Sequence, residues 1–170
     1  MHTNLILSID RCNTLPEAEE VVDLAVKYQS KGVVGVDLCG NPSKGEIRIF
    51  GPAFARAKES GLKLTLHFAE TPLSATDDEL DTMLNWKPDR LGHVIHVNQE
   101  IRERVIRQKI GVELCLSCNV YTKMITGSYP NHHFGWWMHS GVGVALGVSW
   151  NALSIKEFVA NCYSHKRRMM

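Results

Sequence analysis

The stretch LTLHFAETP, residues 64–72, ends an apolar run on His67 and sets Glu70 three residues further on. A neutral imidazole is a good zinc ligand. A carboxylic acid beside it can donate a proton to a ring nitrogen. A second apolar run, RLGH, ends on His93, and a histidine there can orient or deprotonate a metal-bound water. Taken singly, each has a plainer reading: a strand-end histidine bonded to its neighbours, or a loop acid. Brought to one mouth, histidine, glutamate and histidine suit metal-assisted hydrolysis. The ligand set is short, because a catalytic zinc usually takes three protein ligands and His67 supplies one. His132-His133 is the densest further candidate, but its loop setting and the adjacent Phe134 suggest helix-start packing as strongly. His96, His139 and His165 have no spacing partner. Cys115-Leu-Ser-Cys118 has the CxxC form, yet it lies on an apolar run with no second pair, so two strand-end cysteines are expected.

These residues need a frame, and the chain alternates in a way that supplies one. LILSID, residues 5–10, is a short apolar run ending in an acid. Thr14 and Glu17 then form a capping-box pattern with Pro16 in the first turn, predicting a helix over 16–29. Further strands are predicted over 32–37, 62–67, 89–94, 112–116 and 142–148. Helices are predicted between them over 52–60, 77–84 and 100–108. Apolar strands separated by helices mean βα units and a parallel sheet, with strands buried on both faces. A doubly wound sheet and a (β/α)8 barrel both fit. Polar groups at nearly every strand end (Asp10, Asp37, His67, His93, and Ser117 with Asn119) tilt the reading to a barrel, whose strand ends converge on one mouth. No GxGxxG or Walker A pattern marks a nucleotide loop. The expected class is α/β, an incomplete (β/α)8 TIM-type barrel of about six βα units, since a full barrel takes roughly 250 residues.

Composition narrows the function classes. The chain has 170 residues, 44% apolar and 22% charged, with a formal net charge of +1. It reads as one globular domain, with no support for a nucleic-acid surface. The basic run Lys166-Arg167-Arg168 reads as solvated tail charge. No apolar run approaches the roughly 20 residues of a membrane helix. Five scattered cysteines, an odd number, and the lack of a signal peptide point to reduced thiols in the cytoplasm.

The stretches LSIDR, GVVGVDLCGNP, LKLTLHFAE, PDRLGH, ELCLSCNV and HHFGWW occur in that order along residues 4–147. Together they resemble the adenosine/AMP deaminase family, most closely its branch acting on N6-methylated AMP. The resemblance implies a (β/α)8 barrel holding one zinc ion. By position, His67 is implied as a zinc ligand and Glu70 as the proton donor to purine N1. His93 is implied as the histidine that positions the attacking hydroxide. Gly40 is implied as the close-approach glycine at the purine, and Asp10 as a substrate-contacting acid. The implied partner is a small purine nucleoside or nucleotide, converted to the inosine product by a monomeric enzyme. The HxxE motif, with Leu114 before Cys115, differs from the HxE and PCxxC signature of nucleic-acid base deaminases.

Three departures accompany the resemblance. The family's first strand carries His-x-His, which is absent here, so the chain is expected to start at about the third strand. The family's last strand ends in Asp-Asp, where this chain has Ser149 and Trp150. Residues 1–148 are therefore expected to form a partial barrel domain and 149–170 a divergent tail. Val94 stands where the family commonly has glycine. One inherited zinc ligand predicts a poor deaminase, and the alternative is a catalytically incomplete fragment or a non-catalytic nucleotide-binding remnant.

Overall fold

The computed structural model describes residues 3–147. His2, Val148, Ser149, Trp150, His165 and the divergent-tail region lie outside the described residues. Six strands alternate with helices: β1 Leu5–Asp10, β2 Val33–Cys39, β3 Lys63–Phe68, β4 Arg90–His93, β5 Gly111–Leu114 and β6 Val144–Leu146. The helices are α1 Leu15–Lys27, α2 Gly51–Glu59, α3 Asp77–Asn85, α4 Gln99–Arg107, α5 Leu116–Tyr121 and α6 Phe134–Met138. The predicted capping box opens α1: Glu17 Oε2 accepts the Thr14 N–H at 2.6 Å while Thr14 Oγ1 caps the Glu17 N–H. Thr76 and Asn98 cap α3 and α4 in the same manner. Ala18, Val22 and Ala25 of α1 are buried, the apolar stripe that seats the helix on the sheet.

The sheet order is β1-β2-β3-β4-β5-β6, and every pair is parallel. This order decides between the two architectures. Right-handed crossovers that always step the same way place every helix on one face. A doubly wound sheet reverses its order to place helices on both. The sheet is therefore an arc of a (β/α)8-type barrel, as expected.

Two expectations need correcting. The strands are not buried on both faces. Ile9, Val36, Leu38, Leu64, Leu66, Leu91, Val112 and Leu114 are fully buried on the helix-covered face. Their alternate neighbours Ser8, Asp37, Thr65, His67, Arg90, Glu113 and Cys115 line a cleft of about 170 Å³ on the concave face. The period-two alternation of strand side chains produces this division, because six strands cover their inner face only partly. Nor does the fifth strand reach Leu116. It ends at Leu114, Cys115 begins α5, and Ser117 and Asn119 lie on that helix, not on a strand end.

Candidate active site

Register sets the centre of the site. In the β3–β4 ladder His67 pairs with Gly92 and Phe68 with His93. His67 and His93 are thus diagonal neighbours across the ladder, ring centroids 5.3 Å apart. The loop after β3 carries Glu70 over them, and its Oε1 lies 3.5 Å from His93 Nε2. That loop is bonded to the one after β4, since the N–H groups of Ile95 and His96 both donate to the Ala69 carbonyl at 3.2 and 2.9 Å. Asp37 of β2 closes the group: its two carboxylate oxygens lie 3.2 and 3.1 Å from His67 Nδ1. A carboxylate only accepts, so Nδ1 carries the proton and the Nε2 lone pair of the neutral ring is left for a ligand, as where a carboxylate orients a metal-binding histidine.

Charge follows from these neighbours. Burial opposes protonation of His67, but the Asp37 hydrogen bond and charge, reinforced by Glu70, outweigh it and raise its pKa. His93 moves the other way: burial lowers its pKa against the pull of Glu70. Backbone strain gathers at the same place. His93 and Val94 both have left-handed φ, 62° and 50°, and the Val94 N–H bonds back to the Gly92 carbonyl at 2.8 Å. A β-branched residue at positive φ is uncommon, which gives the glycine expected at position 94 its physical reason.

Asp10 and Gly40 form a second group. Gly40 has φ 98°, and a Cβ there would lie 2.7 Å from Asp10 Oδ2. Glycine suits position 40 because of its left-handed backbone, and a side chain there would require the Asp10 carboxylate to move. Asp10 Oδ1 accepts the Cys12 N–H at 2.7 Å. Among the described residues, no hydrogen bond or ion pair joins Asp10 and Gly40 to the His67, Glu70 and His93 group.

Three further residues complete this centre: Asn119, read from the sequence as a strand-end polar group, and His132 and His133, read as ligand candidates or as helix-start packing. Asn119 on α5 is fully buried and its Oδ1 site lies 3.0 Å from His93 Nδ1. His132 lies 3.1 Å beyond Asn119. His133 Nε2 donates to the His93 carbonyl at 2.6 Å. Burial lowers the His133 pKa to about 4, keeping the ring neutral. The pair does sit at the start of α6, as its sequence suggested, but the His133 ring bonds His93 directly and the His132 ring reaches it through Asn119. Cys115 and Cys118 are free thiols.

The donors were weighed against zinc. His67 Nε2, backed by Asp37, has the form of one ligand. No group of three or more His, Cys, Asp or Glu side chains among the described residues could hold a metal ion. One imidazole does not make a zinc site.

Comparison with known proteins identifies the lineage. The adenosine deaminase family model matches residues 1–169. The chain belongs to the adenosine deaminase family. Among its relatives, the N6-mAMP deaminase of Arabidopsis thaliana is 42% identical over 134 residues, covering 79% of this chain and 37% of the relative. The human N6-methyl-AMP deaminase is 34% identical over 141 residues, covering 78% and 39%. The crystal structure of Arabidopsis N6-mAMP deaminase superposes with a TM-score of 0.80 at 39% identity, over 85% of this chain and 42% of that one. A complex of an Arabidopsis relative with IMP gives 0.79 at 40% identity, over 84% and 41%. This adenosine deaminase family chain thus spans about two fifths of the length of the relatives it matches.

Proposed function

We propose that the chain carries the proton-transfer and substrate-binding side of a hydrolytic purine deaminase acting on N6-methyl-AMP, AMP or adenosine. The carrying observation is the Glu70–His93 pair, 3.5 Å apart and seated beside His67 and Asp37. In this reading Glu70 protonates purine N1, which draws electrons from C6. Water adds at C6, one of its protons passing to the amine, which departs as ammonia or methylamine, and the other returning to the Glu70 carboxylate, leaving the inosine product. His93 holds the attacking oxygen by a hydrogen bond. Asp10 contacts the substrate, and Gly40 leaves space beside it. His67 Nε2 would be one ligand of a zinc ion, whose chemistry when bound is to lower the pKa of its water. Support for the substrate class comes from relatives named for N6-methyl-AMP and from related structures complexed with GMP and IMP. A monomer in the cytoplasm, with no nucleic-acid or membrane partner, belongs to the same proposal. Among the described residues no helix is long and apolar enough to cross a membrane.

The test is incubation of the chain with each nucleotide, with and without zinc, following the ultraviolet shift to the inosine product. Turnover lost in Glu70→Gln supports the reading. A second reading, a nucleotide-binding module without turnover, is favoured by the lone zinc donor. Calorimetric binding of IMP with no turnover of any substrate would decide for it and against the first.

A further inference from the structure

The buried hydrogen bonds behind His93 fix where its proton sits. The Phe134 backbone N–H lies 3.0 Å from His132 Nδ1, and an N–H can only donate. His132 Nδ1 is therefore the unprotonated nitrogen, and the ring carries its proton on Nε2. That Nε2–H points at the Asn119 side-chain amide, 3.1 Å away.

With the amide placed as its nitrogen toward His132 and its oxygen toward His93, two N–H donors would face each other. Asn119 is fully buried, and His132 and His93 are 4% and 5% exposed, so solvent cannot relieve the conflict. The two ends of an amide have the same shape and exchange by turning the group over. Turned over, Asn119 Oδ1 accepts from His132 Nε2–H and its NH2 donates to His93 Nδ1. Every pairing in the series is then satisfied.

We infer that Asn119 and His132 are positioning residues that hold neutral His93 as the Nε2–H tautomer, referenced to the Phe134 backbone N–H. Nε2 is the atom that faces Glu70. His93 thus offers the mouth a proton and not a lone pair. Its assigned task in deamination, which rests on the proposed function, becomes donating a hydrogen bond to the attacking oxygen; with Nε2 already protonated and Nδ1 held by Asn119, it is not the first base. His133, donating to the His93 carbonyl, holds the backbone of the same residue.

The test is a long-range proton–nitrogen NMR spectrum of the whole chain at mildly alkaline pH, where an imidazole is neutral. The His93 signals are identified by their loss in His93→Gln. The expected result is a proton on Nε2. In Asn119→Asp a carboxylate accepts from both neighbours, so the His93 proton moves to Nδ1. A wild-type proton on Nδ1 overturns the inference, as does an Asn119→Asp spectrum with the proton still on Nε2 alone. If that variant does not fold, the wild-type spectrum decides by itself. The readout needs neither metal nor turnover, so an inactive chain with its proton on Nε2 sinks the deaminase reading and leaves the tautomer standing.

Discussion

Asp37 governs the behaviour of His67. Burial works against the charged ring, and the Asp37 hydrogen bond and charge overcome it, so the folded pKa exceeds the ordinary histidine value. A group with a raised folded pKa adds stability that is fully present below its unfolded value and is lost as pH rises through the folded one. Asp37→Asn is therefore expected to lower the His67 pKa in an NMR titration. Its destabilisation should be larger at mildly acidic than at mildly alkaline pH by denaturant unfolding, and an equal loss at both would contradict the pairing. Cys115 tests the cleft in another way. Burial first, then Cys118, Glu113 and Glu70, pushes its thiol up to about 12. Cys12 is exposed. In the native protein at neutral pH an alkylating reagent should label Cys12 and spare Cys115, read by mass spectrometry of peptides; equal labelling rates would show that Cys115 is not so held. His67, Glu70 and His93 were legible because each follows an apolar run at a recognisable spacing. The link from Asn119 to His93 was not, because it joins positions 26 residues apart through a helix that the apolar run concealed, and His132, a ligand candidate by its type, reaches His93 only through Asn119.

At the scale of elements, the closeness of β2 to β3 depends on one missing side chain. Gly35 pairs with Lys63 in the ladder, and a Cβ on Gly35 would drive into the Lys63 carbonyl oxygen. That obstacle is backbone and cannot rotate away. Gly35→Ala is expected to cost about 1–3 kcal/mol, the usual range for overpacking, read as a lower denaturant midpoint at unchanged slope. Gly135 on α6 has nothing within 4 Å of its would-be Cβ. Gly135→Ala should be neutral or stabilising by up to about 1 kcal/mol through helix propensity. Matching losses at the two sites would refute the packing argument. The elements legible in the sequence were those with their own punctuation: Thr14, Pro16 and Glu17 before α1, and Gly61 after α2. α5 escaped because Leu116-Ser-Cys-Asn-Val-Tyr121 continues an apolar run without a capping side chain. α6 is five residues long and rich in tryptophan, with no side-chain cap bond, so the His132-His133-Phe134 stretch hinted at its start but no period or cap gave its extent.

For the whole molecule, the strand ends carried the barrel reading, since Asp10, Asp37, His67 and His93 close successive strands of one parallel arc. Among the described residues, the same arc brings only one imidazole of metal-ligand form to its mouth, and this has a measurable thermodynamic consequence. A ligand that binds only the native state raises its stability by about 2.7 kcal/mol at a hundredfold excess over Kd. For a chain of this size that raises Tm by roughly 5–10 °C. A three-ligand zinc site would reach this condition at micromolar metal. His67 backed by Asp37 binds too weakly to do so, because the cost of stripping water from the ion is met by a single protein donor. Addition of micromolar zinc to the purified chain is therefore expected to leave Tm within about 1 °C, a small shift set by weak occupancy. His67→Ala should respond to zinc as the wild type does. A rise of several degrees that disappears in His67→Ala would mean that further donors join His67 in the folded chain, and it would restore a metal-dependent route for the deaminase chemistry.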